Sequence, residues 1–232
     1  MCISSLSSSM LKSLIFDMDG VLLDSMQSHA DAWIQVSREW GVHVSRDDIY
    51  EIEGANHILG LQWLFQKAGR DLDPRHYDPI LARKVEIFSS IARVRPFEGI
   101  YDCLEKLGRL FDLAVVTGSE RVTVMRLLDE FFPDIFNVVV CGDDVQRGKP
   151  FPDPYLKAVE MLGILKEECI VIENAPMGVE AAKSAGLFCV GVPTYVAADK
   201  LSKADVVLDN HSFLSGYLLR MIPDHPSEGF KA

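Results

Sequence analysis

The sequence predicts an α/β protein: a doubly wound parallel sheet into which a helical segment is inserted. Three observations predict it. The apolar run Leu14, Ile15, Phe16 stops abruptly at Asp17-x-Asp19-Gly20, as a strand buried on both faces does where it reaches a sheet edge. From residue 95 onward short apolar runs alternate with helical spacing, the pattern of a parallel sheet with helices on both faces. Between the two, residues 25–93 carry helical spacing and no persuasive strand.

The elements follow in order. After the first strand, Gly20 lets the chain turn away. In the insert, Ala30, Trp33 and Ile34 share a face before Gly41 stops the first helix. Apolar spacing returns over 58–68, closed by Gly69, and over 80–91. Trp63, Leu64 and Phe65 are read as core of this small bundle. The expected order is then helix 99–110, strand 113–116, helix 121–131 and strand 137–140. Asp153 is read as an N-cap, with Pro154 at the first position of a helix ending near Gly163. A strand at 169–172, a helix opened by Pro176 and closed by Gly186, and strands at 187–192 and 205–208 complete the set. The expected division is a core of 11–24 and 94–222, a helical cap over 25–93 with hinges near Asp24-Ser25 and Arg95-Pro96, and a loosely ordered tail over 223–232.

Composition narrows the function classes. At 232 residues the chain can bury a full core, and 48% apolar residues argue against disorder. A formal charge of −11 repels nucleic acid and anionic membrane surfaces, so neither is an expected partner. Cys2, Cys103, Cys141, Cys169 and Cys189 are scattered without a CxxC pair and read as reduced. The first ten residues are serine-rich without a cationic start, and no apolar run is long enough to cross a membrane. No signal peptide is expected, and the expected location is cytoplasmic. Nothing in the sequence specifies an oligomeric state.

The chemistry begins with Asp17 and Asp19, which strand alternation points to the same side. Two such carboxylates can share one cation or act on one phosphoryl group. Asp-x-Asp-Gly is also a turn composition. A calcium loop counted from Asp17 needs glycine at position six and glutamate at twelve, where Leu22 and Ser28 stand, so that reading fails. Polar residues follow the other predicted strands too: Thr117-Gly118-Ser119, Gly142-Asp143-Asp144 and Glu173-Asn174. They gather at one sheet edge, where open α/β sheets bind ligands.

Four pieces, Asp17-x-Asp19, Val-Val-Thr117-Gly118-Ser119, Gly148-Lys149-Pro-Phe-Pro-Asp-Pro and Glu173-Asn174-Ala-Pro-x-Gly178, stand in this order. Together they resemble the haloacid dehalogenase superfamily of phosphotransferases, over about residues 11–210. The resemblance implies a Rossmann-like core with a helical cap after the first strand. It implies Asp17 as the nucleophile that forms an aspartyl phosphate and Asp19 as general acid and base. It also implies a magnesium ion on the side chain of Asp17, the main-chain carbonyl of Asp19 and the carboxylate of Glu173. Lys149 would add a second positive charge and, with Thr117, Gly118 and Ser119, bind the phosphoryl group. Ser119 is equally read as a helix N-cap. Asn174 departs from the pattern, since many members carry a second acid there. Three roles stay open for it: binding the ion through its carbonyl oxygen, orienting a metal-bound water, or only organising the turn before Pro176.

The Asp24-Ser25 turn, with His29 and Trp33 after it, resembles the subgroup of β-phosphoglucomutases and their phosphatase relatives. His29 is expected to reach Asp19 or the substrate, or else to make a polar contact inside the cap. His57, in Glu53-Gly54-Ala55-Asn56-His57, stands where the mutases place an arginine for substrate phosphate, and Glu120 where a basic residue is expected. Arginine forks phosphate bidentately and histidine does not, while Glu120 repels a second phosphate unless Arg121 takes over. The expectation is a magnesium-dependent phosphatase of a small phosphorylated metabolite, a sugar phosphate or phosphoglycolate. A phosphosugar mutase is the alternative, and a catalytically silent binding protein the third. The superfamily's phosphonatases use a cap lysine as a Schiff base; Lys67 and Lys84 are the cap candidates here, and neither sits in a recognisable motif.

Overall fold

The computed structural model describes residues 11–222; the expectations for the first ten residues and for the tail 223–232 lie outside them. In chain order the chain runs β1 (Ser13–Phe16), β2 (Leu23–Asp24), four helices α1 (Met26–Glu39), α2 (Arg46–Glu51), α3 (His57–Lys67) and α4 (Tyr77–Ile91), then β3 (Arg95–Pro96). There follow α5 (Ile100–Leu107), β4 (Asp112–Val116), α6 (Arg121–Phe131), β5 (Val138–Val140), α7 (Asp153–Leu162), β6 (Cys169–Glu173), α8 (Pro176–Ser184), β7 (Phe188–Gly191), β8 (Val206–Val207) and α9 (Leu214–Leu219).

Six strands form one parallel sheet in the order β5-β4-β1-β6-β7-β8. Renumbered among themselves these strands run 3-2-1-4-5-6, so the winding reverses between β1 and β6, the crevice in which doubly wound sheets hold ligands. Phe16 lies level with Val115 of β4 and Ile172 of β6. This register brings the ends of three strands, and the residues just beyond them, to the same edge.

Alternation along β1 sorts the two layers. Leu14 and Phe16 join a cluster with Ile100, Leu104 and Leu107 of α5, Val124 and Leu128 of α6 and Leu214 and Leu218 of α9. Ile15 faces the other way, with Tyr155 and Ala158 of α7 and Val179 and Ala182 of α8. All three β1 residues are fully buried, each contributing about 1.5–3 kcal/mol relative to exposure. One expected start shifts by a residue. The helix of α7 begins at Asp153 with Pro152 as its N-cap, and Asp153 pairs with Arg147 at 3.0 Å rather than capping. Pro154 is tolerated in the first turn because its missing N–H would lack a helical acceptor anyway.

The helices α1 to α4 carry their own apolar cluster, including Trp33, Val36, Leu64, Phe65, Ile80, Leu81, Ile87 and Phe88, with Trp63 packed against it. They form a cap joined to the core through β2 and β3, whose Leu23 and Asp24 pair antiparallel with Pro96 and Arg95. Arg95 also bonds Asp24 at 3.1 Å. Cys103, Cys141, Cys169 and Cys189 are buried and free, as expected. Among the described residues no helix is long and apolar enough to cross a membrane.

Candidate active site

Asp17 follows β1 directly, and its N–H donates to the carbonyl of Ile172 at 2.9 Å. Its carboxylate is buried and meets Lys149, whose ammonium donates to Asp17 Oδ1 at 2.6 Å, Glu173 Oε1 at 2.6 Å and the carbonyl of Val116 at 3.1 Å. All three ammonium protons are thus engaged. Glu173 ends β6; its Oε1 also accepts from the Tyr155 hydroxyl at 2.9 Å and its Oε2 from the Ala175 N–H at 2.9 Å. A Cβ on Gly178 would stand 1.6 Å from Glu173 Oε1, so only glycine leaves this carboxylate its place. Burial pushes Asp17 upward; Lys149 opposes this and Glu173 and Asp19 add to it. Burial alone would lower Lys149, but Asp17 and Glu173 hold it charged, above the usual lysine range.

Asp19 is held from three sides. Ser25 Oγ donates to its Oδ1 at 2.5 Å, Ser119 Oγ to its Oδ2 at 3.1 Å, and His29 Nε2 lies 3.3 Å from Oδ1. On the far side of the ring, His29 Nδ1 lies 3.0 Å from the Lys84 ammonium, and the imidazole stacks on Phe88. An ammonium only donates, so Nδ1 accepts and the proton sits on Nε2, giving a chain Lys84 to His29 to Asp19; the tautomer follows from this network. Burial would raise Asp19, but His29, Ser25 and Ser119 more than offset it and hold the carboxyl below the usual range. Burial first, and then Lys84, lower His29 and keep it neutral.

Thr117, Gly118 and Ser119 line the same cavity as Asp17 and Asp19, roofed by Trp33, His29 and His57 of the cap. The N-cap of α6 is Glu120, not Ser119, whose hydroxyl is turned to Asp19. The capping reading of Ser119 is therefore replaced. Thr117 Oγ1 accepts from the N–H of Ser119 at 3.1 Å. A Cβ on Gly118 would come within 2.5 Å of the Ala55 carbonyl, so this glycine is where the cap loop seats on the core. Arg121 does not take over a phosphate: its guanidinium bonds Asp144 and the Val139 carbonyl, and it does not line the cavity. His57 Nδ1 lies 3.4 Å from Glu120 Oε1, and burial with Lys84 lowers the imidazole to about 4 despite Glu120.

Residues at the ends of β1, β4 and β6, Lys149 from the loop after β5, and the cap thus enclose one buried set of carboxylates and ammonium groups. The family model for haloacid dehalogenase-like hydrolases matches residues 14–192. The chain belongs to this family. Among haloacid dehalogenase-like relatives, the validoxylamine A 7'-phosphate phosphatase of Streptomyces hygroscopicus subsp. limoneus is 30% identical over 86% of this chain and 93% of its own. The fructose-1-phosphate phosphatase of Escherichia coli is 32% identical over 77% of this chain and 95% of its own. A solved structure from Bacteroides vulgatus, described as a candidate β-phosphoglucomutase, superposes with a TM-score of 0.83 at 32% identity, over 92% of this chain and 91% of its own.

Three residues of this haloacid dehalogenase-like site take no site role from the sequence alone. Tyr155 anchors Glu173. Lys84 lines the cavity, whereas the other cap candidate for a Schiff-base lysine, Lys67, is half exposed and pairs with Asp48. The signal for Lys84 was there: Ile80, Leu81, Lys84, Ile87 and Phe88 form one buried helical stripe, and a lysine on an apolar face needs a partner. Glu53 is the third. It is buried, and its Oε1 accepts from Asn174 Nδ2 at 2.5 Å, while Glu53 Oε2 and Asn174 Oδ1 are buried without a hydrogen-bond partner.

Those orphaned oxygens bear on a metal. Among the described residues no three His, Cys, Asp or Glu side chains group as a metal cluster, so a hard cation here must also draw on neutral oxygens, which magnesium accepts. The neutral oxygen on offer is Asn174 Oδ1. Glu173, expected as the metal carboxylate, has both oxygens occupied by Lys149, Tyr155 and Ala175. Of the two neighbours, Asn174 is the one that keeps an oxygen without a hydrogen-bond partner.

Proposed function

We propose that the protein is a magnesium-dependent phosphatase of small phosphorylated metabolites of the sugar phosphate or phosphoglycolate type, acting through an aspartyl phosphate on Asp17. The observation that carries this reading is the pairing of a buried Asp17 with the fixed ammonium of Lys149 at the sheet's switch point, two residues from a second, differently held carboxylate. The named phosphatases among the relatives support it.

An Asp17 oxygen attacks phosphorus, and the bond from phosphorus to the ester oxygen breaks. Asp19 gives that oxygen its proton. Water then attacks the aspartyl phosphate, Asp19 takes the water's proton, and the Asp17 carboxylate and inorganic phosphate are released. In the substrate-free arrangement His29, Ser25 and Ser119 hold Asp19 ionised, suited to the second step; the negative charge of a bound ester favours its protonation for the first. Lys149 opposes the upward push that burial gives Asp17, and Thr117 with the Gly118 and Ser119 segment faces the transferred oxygens. A magnesium ion bound to Asp17, the Asp19 carbonyl and Asn174 Oδ1 would neutralise phosphoryl charge. Residues 25–93 act as a lid, moving on β2 and β3 to admit substrate and exclude water.

A phosphosugar mutase is the second reading, and Lys84 favours it, because a cap ammonium in the cavity can receive a second anionic group. Neutral His57 and the acidic Glu120 oppose it. Incubation with β-glucose 1-phosphate plus a trace of the 1,6-bisphosphate, beside a panel of phosphate monoesters, separates the two. Steady release of inorganic phosphate is expected; glucose 6-phosphate without phosphate release would overturn the phosphatase assignment.

A further inference from the structure

Asn174 stands at a position where an acid would serve a cation better, and the structure brings it an acid from elsewhere. Glu53 belongs to the cap loop ahead of α3, yet its side chain lies beside Asn174 on the core. The two meet where Gly20 has no side chain: a Cβ there would fall 2.1 Å from Asn174 Nδ2 and 2.8 Å from Glu53 Oε1. Gly20 directly follows Asp19, so this contact abuts the main chain expected to face the ion. Asp17, Asp19 and Glu53 line one cavity.

Two further features point to a ligand. Glu53 is 4% exposed and Asn174 fully buried, and each keeps one oxygen with no hydrogen-bond partner, an arrangement that is costly unless something binds there. Formal charge is also out of balance. Four buried carboxyls, Asp17, Asp19, Glu53 and Glu173, face two ammonium groups, Lys149 and Lys84. A divalent cation would balance this charge and satisfy both orphaned oxygens.

We propose that Glu53 supplies, from the cap, the second carboxylate of the divalent-cation site formed with Asp17, the Asp19 carbonyl and Asn174 Oδ1. This rests on the metal reading of the site given above and deepens it. The acid that many family members carry on the core strand is moved onto the lid, so the ion is held fully only while the cap is shut. Cap closure and ion affinity are then linked, each strengthening the other by the same factor. The seating of the loop supports the link: Ala55 pairs with Lys149 in a β-bridge, and Cβ atoms on Gly118 or Gly148 would strike the Ala55 carbonyl or Asn56.

The test is Mn2+ binding to the full chain without substrate, followed by electron paramagnetic resonance of the free ion. Glu53→Gln, which keeps volume and the Asn174 contact, should weaken binding at least about tenfold. Asn174→Asp should tighten it and make Glu53→Gln less damaging in the double variant. Hydrogen exchange of residues 53–57 should slow with Mn2+ in the wild type and not in Glu53→Gln. Unchanged affinity in Glu53→Gln, with binding lost in Asp17→Asn, would overturn the cap ligand while leaving the core metal site standing. Unchanged binding in Asp17→Asn, or none in the wild type, would overturn the metal reading itself.

Discussion

The sheet edge and the cap both bury charge against the same cavity, but they balance it differently. At the edge, Lys149 has three acceptors and Glu173 three donors, so this part is satisfied by the chain alone. In the cap, Lys84 reaches one imidazole nitrogen and lies over the rings of Trp33 and Phe88, and Glu53 keeps an unpartnered oxygen. The edge fixes Asp17 and Glu173 through the chain's own groups, whereas the cap keeps a buried carboxylate oxygen without a partner.

That contrast is broken most directly at its centre. Asp17→Asn removes the oxygen proposed to attack phosphorus with almost no change of shape, and phosphate release should fall by at least about 10³-fold. Loss of less than about tenfold in steady-state phosphate release would remove Asp17 as nucleophile.

Removing an ammonium should next separate the two regions by stability. Lys149→Met leaves Asp17 and Glu173 buried and facing each other, and breaking such a pair costs about 3–5 kcal/mol. Lys84→Met exchanges a poorly partnered buried charge for an apolar side chain of similar length and should cost little or stabilise. Urea unfolding of both variants at pH 7 checks this; equal losses would mean that the cap charge is as well satisfied as the edge.

A smaller effect sharpens the comparison through pH. Burial lowers Lys84 to about 8 from its ordinary 10.5, against the pull of Asp19 and Glu120. The folded state therefore disfavours the ammonium, so the wild type should gain stability as pH rises from about 8 toward 10.5, and Lys84→Met should not. Activity runs the opposite way. If the ammonium orders His29 and an anionic substrate, kcat/KM should fall above about pH 8, and this limb should vanish in Lys84→Met. The same alkaline limb in both proteins would assign it to another group.

The two regions also differed in what the sequence disclosed. Sheet and edge were readable because each strand is a short apolar run with a polar residue immediately after it, so Asp17, Thr117 and Glu173 are marked by position alone. Which of Asn174 and Glu173 keeps an oxygen without a partner was less accessible, since it depends on contacts of the Tyr155 hydroxyl and the Ala175 amide that motif spacing does not describe. Lys84 was visible only as a charge on an apolar stripe. Glu53 carried no mark, because its partner lies 121 residues away and meets it through a loop contact that periodicity does not describe.

Arg121 offers the finest test, because the sequence left it as a cation that could serve a second phosphate while the structure commits it elsewhere. Its guanidinium bonds Asp144, which also accepts from the Cys141 N–H, so it ties the start of α6 to the loop after β5. The pair is partly exposed, and such bridges contribute about 1 kcal/mol or less. Arg121→Ala should therefore lower stability by about that amount and leave KM for a phosphate monoester within about twofold. A rise in KM confined to a sugar bisphosphate would mean that Arg121 leaves Asp144 when substrate binds. The cap and α6 would then hold two phosphates between them, and the balance would tip from hydrolysis toward phosphoryl transfer between sugar oxygens.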